Sequence, residues 1–153
     1  VEMHPNRGAT VRALSPDEIS DLYEMRILIE TFALSKTVAA VTDSQITDLD
    51  GLASVLEVSK PAIAWSQARD AFYRALYSIG NTPRVVATIM QFQAEVGRYT
   101  TDLAETRTQT HRDLLDRVRM GDPELAAAWL ESHLREVARA LRDRVVEEKE
   151  QRT

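Results

Sequence analysis

Apolar residues recur at helical spacing along most of the chain, with no strand-like alternation between residues 15 and 150. Two capping boxes mark helix starts, at Ser15-Pro16-Asp17-Glu18 and at Thr42-Asp43-Ser44-Gln45. Further helices are predicted over about 62–79, from Thr82-Pro83 onward, up to Gly121, and from Asp122-Pro123 onward. The pattern predicts an all-α antiparallel bundle of six or seven helices joined by short loops.

Three local features refine this bundle. Gly80 is predicted to end the third helix, because a residue without Cβ suits the left-handed position after a helix end. The five threonines between residues 100 and 110 predict a break or kink, since β-branched residues weaken a helix. The Ile27-Leu28-Ile29 run covers more than one face of the first helix. That helix is therefore expected to be central, or to be shared with a partner subunit.

The first fourteen residues follow a different pattern. Val1–His4, the turn Pro5-Asn6-Arg7-Gly8 and the segment Ala9–Arg12 predict a short β-hairpin. A lone two-stranded hairpin is marginally stable, so this one is expected to be the remnant of a larger unit. We therefore divide the chain into a remnant at 1–14 and a helical domain at 15–153.

Composition narrows the function classes. A chain of 153 residues with a net charge of -5 is expected to form one globular domain with a full core. The absence of cysteine excludes disulfide and thiolate chemistry. The acidic balance disfavours DNA binding by the helical domain, and no apolar stretch approaches the length of a membrane span. We expect a cytoplasmic protein with no membrane partner.

Two of the three histidines flank the turn at Gly121 to Pro123. His111 and His133 are equidistant from residue 122, so they lie at the same height in an antiparallel helix pair. Each belongs to an apolar stripe and is predicted to point toward the core. Converging imidazoles are typical of sites for Zn, Ni or Fe, but two ligands are too few for a metal. The alternative is a pair of half-buried histidines that bond to carbonyl groups or water.

Polar residues form a strip on the third helix, and its orientation stays open. If Arg69 points inward, its guanidinium can hold a carboxylate or a phosphate with two hydrogen bonds. If Asp70 points inward, it can supply a third metal ligand. The third interpretation is that the strip is a solvated helix face or contains an interhelical Arg–Asp pair. On the first helix, Arg26 and Glu30 stand one turn apart and predict an ordinary intrahelical ion pair.

Several segments occur in one order along the chain. They are Asp21–Arg26 with Ile29-Glu30, Phe72–Leu76 with Gly80-Asn81, His111–Leu115 with Gly121-Asp122, and His133-Leu134. Together they resemble the ligand-sensing (FCD) domain of FadR-type GntR transcription regulators. Residues 1–11 are similar to the end of the winged helix-turn-helix that precedes this domain.

The resemblance implies a bacterial regulator whose helical bundle senses a small carboxylate or other anionic metabolite. It implies a homodimer, which we expect to form through the first and fourth helices, and operator binding through an N-terminal domain missing from this chain. Asn6, Arg7 and Arg12 would then contact DNA phosphates or the minor groove. We expect no enzymatic activity. The alternative, a metal-dependent enzyme with a His-His-Asp site, lacks the Glu-x-x-His pairs of carboxylate-bridged bundle enzymes.

Members of this family often hold a divalent metal through an Asp, a His four residues later and two further His. His111 and His133 match the two later ligands. The position of the earlier His is occupied by Tyr73 and that of the Asp by Arg69, while Asp70 is out of register by one. This departure disfavours a metal bound in the manner of the family.

Two expectations for the site follow. The first is a divalent metal (Zn, Ni or Mn) on Asp70, His111 and His133. The second is a metal-free anion site formed by Arg69, Tyr73, His111 and His133, with Arg26 and Asn81 as further effector-binding candidates. The second is favoured because an adjacent guanidinium repels a cation, and because a phenol with a pKa near 10 replaces imidazole poorly as a ligand.

Overall fold

The computed structural model describes residues 14–104 and 109–153, and all regular structure in these ranges is helical. Its six helices are α1 (Pro16–Ala40), α2 (Asp43–Val58), α3 (Ala62–Ser78), α4 (Pro83–Ala104), α5 (Gln109–Met120) and α6 (Pro123–Gln151). The predicted all-α bundle is confirmed. The predicted hairpin, with Asn6, Arg7 and Arg12, lies outside the described residues, as do residues 105–108 of the predicted break. None of the described helices is long and apolar enough to cross a membrane.

The starts of α1 and α2 are those that the capping boxes predicted. At α1, the Ser15 hydroxyl accepts a hydrogen bond from the Glu18 amide at 3.1 Å, and the Glu18 carboxylate accepts one from the Ser15 amide at 2.8 Å. Thr42 and Gln45 form the same reciprocal box at α2, with distances of 3.2 and 2.9 Å. These caps satisfy backbone donors that a helix start leaves without partners.

The end of α3 differs from the prediction at Gly80. The residue with a left-handed backbone is Asn81, with φ of 56°, and asparagine tolerates this region better than most residues. Gly80 is required for another reason, because a Cβ placed there would lie 2.8 Å from Cβ of Lys36 on α1. The glycine therefore lets the turn after α3 approach α1 closely. The prediction at the end of α5 is confirmed, since Gly121 has φ of 73°.

Helix α1 is the central element of the bundle, as its broad apolar surface predicted. It contacts α3, α4, α5 and α6, and α2 packs on α3 and α5. The largest fully buried side chains are Ile19, Tyr23, Leu34, Leu49, Leu56, Phe72, Leu76, Tyr77, Ile89, Leu114, Leu115 and Leu141. A side-chain hydrogen bond also joins α1 to α3: the Thr37 hydroxyl donates to the Leu76 carbonyl at 2.7 Å. The core thus surrounds α1.

Candidate functional site

An ion pair lies in the interior of the bundle. Nε of Arg26 donates a hydrogen bond to Oε2 of Glu30 at 2.7 Å, and the two residues are only 3% and 1% exposed. The sequence predicted this pair but as an ordinary intrahelical contact. Burial of two charges costs much more than a surface pair does, so it requires further hydrogen bonds.

The second oxygen of Glu30 receives those hydrogen bonds. Oε1 accepts one from the Tyr77 hydroxyl of α3 at 3.0 Å and one from Nε2 of Gln93 on α4 at 2.9 Å. Burial, and next the Glu30 carboxylate, raise the pKa of Tyr77 well above its ordinary value of 10. The phenol is therefore protonated at neutral pH and acts as a donor. Side chains from α1, α3 and α4 meet on one carboxylate.

Arg69 adds a second guanidinium beside this pair. Its Nη1 donates a hydrogen bond to Oε1 of Gln93 at 3.2 Å, and its guanidinium carbon lies 4.8 Å from the centre of the Tyr73 ring. Within the described part of the chain, no carboxylate lies at ion-pair distance from Arg69. The cluster formed by Arg26, Glu30, Arg69, Tyr73, Tyr77 and Gln93, called the interior polar cluster below, therefore has two guanidiniums for one carboxylate.

Aromatic rings form one wall of this cluster. The buried His111 ring contacts Phe72 and Tyr73 edge-on, with centroid distances of 5.3 and 5.4 Å, and Tyr73 stacks on Tyr77 at 5.9 Å. Burial raises the pKa of Tyr73 although Arg69 lowers it in part, so its phenol is protonated at neutral pH. No hydrogen bond joins that hydroxyl to another described residue. It is available as a donor to a bound ligand.

The structure brings together four of the predicted site residues and leaves two others exposed. Arg69, Tyr73 and His111 form a continuous set of contacts beside Arg26, as described above. Asp70 is exposed on α3, and Asn81 is exposed in the turn after it. Of the two orientations left open for α3, the structure has the one with Arg69 toward the cluster.

His133 has a different environment from His111. It is half-buried on α6, and its ring stacks on Trp129 with centroids 5.3 Å apart and planes 2° apart. The described residues contain no group of three or more His, Asp or Glu side chains that could hold a metal ion. Because Asp70 is exposed and Arg69 adds positive charge at the site, these residues do not fit the proposed His-His-Asp centre.

The sequence suggested neither Gln93, a member of the interior polar cluster, nor Tyr23, which packs against Arg26, as a site residue. Gln93 stands between Ile89 and Val96 on the apolar stripe of α4, where a polar residue signals a buried hydrogen-bonding group. Tyr23 lies under the Arg26 guanidinium, 4.8 Å from carbon to ring centre. Burial raises the pKa of Tyr23, and the nearby Arg26 and Arg69 offset part of that rise. Tyr23 had no such signal, because its spacing is that of any core aromatic.

Comparison with known proteins identifies the family of the chain. Residues 21–136 match the model of the FCD domain family, and the chain belongs to that family. Two solved structures share its fold. E. coli McbR/YncC has a TM-score of 0.73 and 17% sequence identity, with 93% of this chain and 76% of that chain covered. A GntR-family transcriptional regulator from Pseudomonas syringae pv. tomato str. DC3000 has a TM-score of 0.75 and 20% identity.

The second alignment covers 95% of this chain but only 65% of the Pseudomonas protein, so this chain spans about two thirds of that relative. At such identities the likeness is one of fold. Comparison with curated protein sequences gives no significant match.

Proposed function

We propose that the chain is the effector-sensing domain of a FadR-type GntR transcription regulator, and that a small anionic metabolite binds at Arg69, Tyr73 and His111. The observation that supports this proposal is the charge of the interior polar cluster. Glu30 already neutralises Arg26, so the positive charge of Arg69 is left without a carboxylate among the described residues. A bound anion would balance it. Operator binding is assigned to an N-terminal domain that precedes this one.

The chemistry of these side chains suits a carboxylate or a phosphate. A guanidinium presents donors in a planar fork, which matches two oxygens of such an anion. The protonated Tyr73 hydroxyl can donate a further hydrogen bond. The aromatic wall lowers the local dielectric, and each of these interactions is stronger there than in water. Arg69 takes the place that a metal ion would have toward the anion, so we propose binding without a metal.

The anion and metal hypotheses are tested by thermal unfolding of the chain. The probes are acetate, succinate and inorganic phosphate, each with EDTA, and Zn²⁺, Ni²⁺ or Mn²⁺ without anion. An anion at 100 times its Kd adds about 2.7 kcal/mol of stability. For a chain of this size we expect a rise in Tm of roughly 5–10 °C. Elemental analysis of protein purified without chelator should find no stoichiometric metal.

A rise in Tm with metal ions alone, together with about one bound metal per chain, would contradict metal-free binding and return the site to Asp70, His111 and His133. A failure of every anion in the panel would contradict the proposal of an anion site at Arg69.

The dimer is a second part of the proposal. Met25, Leu28 and Phe32 are 40%, 73% and 50% exposed and lie at i, i+3 and i+7, so they form one apolar stripe on α1. Val85 and Phe92 of α4 are also only partly buried. We propose that two copies of the chain pack through this α1 stripe. An effector with different affinity for two arrangements of the dimer would then change the spacing of the DNA-binding domains.

Leu28→Glu is expected to weaken this dimer about 100-fold or more. Burial of one leucine is worth roughly 1.5–3 kcal/mol, and a two-fold interface contains the residue twice. Sedimentation velocity at micromolar concentrations should show a dimer for the unchanged chain and a monomer for the variant. Val58→Glu is the matched control, because Val58 is 78% exposed on α2, away from the stripe. A monomeric unchanged chain, or equal behaviour of the two variants, would contradict the assignment.

A further inference from the structure

The side-chain amide of Gln93 bridges two charged groups that form no ion pair with each other. Gln93 is 1% exposed on α4. Its Oε1 accepts a hydrogen bond from Nη1 of Arg69 at 3.2 Å, and its Nε2 donates one to Oε1 of Glu30 at 2.9 Å. One side chain therefore connects the candidate anion site on α3 with the buried Arg26–Glu30 pair on α1.

The chemistry of the two partners allows only one orientation of this amide. A guanidinium can only donate hydrogen bonds, and an ionised carboxylate can only accept them. If the amide were flipped, its NH₂ group would face Arg69 and its oxygen would face Glu30, and both hydrogen bonds would be lost. The amide cannot adapt to a change on one side without affecting the other. This makes Gln93 a connector of defined polarity, which neither a methionine nor a glutamate could replace.

We propose that Gln93 is a positioning residue that transmits the state of Arg69 to the Arg26–Glu30 pair of α1. The inference rests on the proposed function, since it gives the anion site its means of regulation. An anion that accepts the Nη1 hydrogen bond of Arg69 removes the donor from Oε1 of Gln93. A buried amide oxygen without a donor is unfavourable, so the amide shifts, and Glu30 loses one of its three donors among the described residues.

Helix α1 is suited to receive such a change. It contacts α3, α4, α5 and α6, so a shift of the Arg26–Glu30 pair changes the packing of α1 against four other helices. The exposed stripe of Met25, Leu28 and Phe32 lies on the same helix, interleaved in sequence with Arg26 and Glu30. Loss of a hydrogen bond at Glu30 thus acts on the element that carries the proposed dimer contact.

A second route between Arg69 and Glu30 also exists and has to be separated from the first. Arg69 lies over the Tyr73 ring, Tyr73 stacks on Tyr77, and the Tyr77 hydroxyl reaches Glu30. Stacked rings tolerate small displacements, whereas the amide of Gln93 makes directed hydrogen bonds at both ends. The route through Gln93 is therefore the one that we assign.

The test uses the Arg26 Nε–H resonance in ¹⁵N–¹H NMR spectra of the whole chain, recorded without any anion ligand. This proton is hydrogen-bonded to Glu30, so its shift reports the state of the carboxylate. Arg69→Met is expected to move the resonance in the otherwise unchanged chain and to leave it in place in a Gln93→Met background. Arg74→Met removes an exposed guanidinium from the same helix and should not move it. Because no ligand is present, failure of anion binding and failure of this coupling are distinguishable.

Three results would overturn the proposal. The first is an Arg69→Met shift that persists at full size in the Gln93→Met background, which would show coupling through space or through the tyrosines. The second is the absence of any shift when Arg69→Met is made in the otherwise unchanged chain. Tyr77→Phe should leave the response to Arg69→Met intact, and loss of the response in that variant would also overturn it. If Gln93→Met does not fold, Gln93→Asn replaces it, because its amide is one methylene too short to reach both partners.

Discussion

Replacement of Arg26 by methionine is expected to lower the free energy of unfolding by about 3–5 kcal/mol. The variant leaves the Glu30 carboxylate inside the bundle without its counter-charge, in a place where only 1% of the residue is exposed. Tyr77 and Gln93 would still donate to it, but neutral donors compensate a buried charge only in part. Urea denaturation at pH 7, followed by circular dichroism, measures the loss directly.

A rise in pH does not remove the positive charge of Arg26, so the Arg26–Glu30 ion pair persists. Burial is the largest single influence and lowers the pKa of Arg26, but the Glu30 carboxylate, Tyr23 and Tyr73 together raise it, and the pKa lies above its ordinary value. Because the folded-state pKa is raised, the stabilisation is present below the unfolded pKa and is lost only as pH rises through the folded pKa. The guanidinium therefore stays charged throughout the range in which proteins fold.

The matched control for Arg26→Met is Arg135→Met. Arg135 forms ion pairs with Glu24 at 2.8 Å and with Glu131 at 2.9 Å, so its geometry is as good as that of the buried pair. The side chains of these two partners are 60% and 46% exposed, however, and surface pairs contribute little to stability. If Arg26→Met proves no more destabilising than Arg135→Met, the buried pair does not hold the cluster as described.

The fold could be predicted from the sequence because its signals are local. The boxes at Ser15 and Thr42 need only residues three positions apart, and Gly121 marks a helix end by its own lack of Cβ. Local signals do not predict contacts between helices, as Gly80 shows. Its close approach to Lys36 joins α3 and α1, and no local pattern contains that contact. The prediction therefore places the left-handed residue one position too early, because Asn81 has that conformation.

The site was less predictable, because neighbouring positions on a helix differ by only about 100° in direction. Arg69 and Asp70 both lie at the edge of the apolar stripe of α3, and spacing alone leaves either of them facing the core. Gln93 on α4 and the Tyr73 ring decide between them in the structure, since both contact Arg69. The contact with Tyr73 lies within α3, but the contact with Gln93 joins α3 to α4 and cannot be predicted from α3 alone.

The Arg26–Glu30 pair illustrates the same limit. Its i, i+4 spacing predicts an ion pair equally well on a surface and in a core. Burial becomes evident only when Tyr77 and Gln93 from two other helices are found on the same carboxylate. Gln93, within the apolar stripe of α4, is a further sequence signal of a buried hydrogen-bonding group, but its meaning becomes specific only through its partners.

Arg69→Met is expected to weaken anion binding about 10- to 100-fold while leaving the fold intact. A hydrogen bond to a charged group contributes about 1.5–3 kcal/mol, and each 1.4 kcal/mol is a factor of ten in Kd. Arg69 is half-buried, so its loss is expected to cost far less stability than loss of Arg26. Calorimetric titration with succinate and with inorganic phosphate, in EDTA and at low ionic strength, measures the affinity.

Two companion variants separate the chemistry of Arg69 from its charge. Arg69→Lys keeps the positive charge but replaces the planar fork with a single ammonium, so its affinity should fall between those of the Arg69→Met variant and the unchanged chain. Arg74→Met alters the net charge equally at an exposed position on α3 and should leave the affinity within the error of the titration. Equal weakening by Arg69→Met and Arg74→Met would mean that the anion responds to overall charge alone. Undiminished binding in Arg69→Met would instead exclude this guanidinium as the anchor, because an anion that kept its affinity would have its principal contact elsewhere in the bundle.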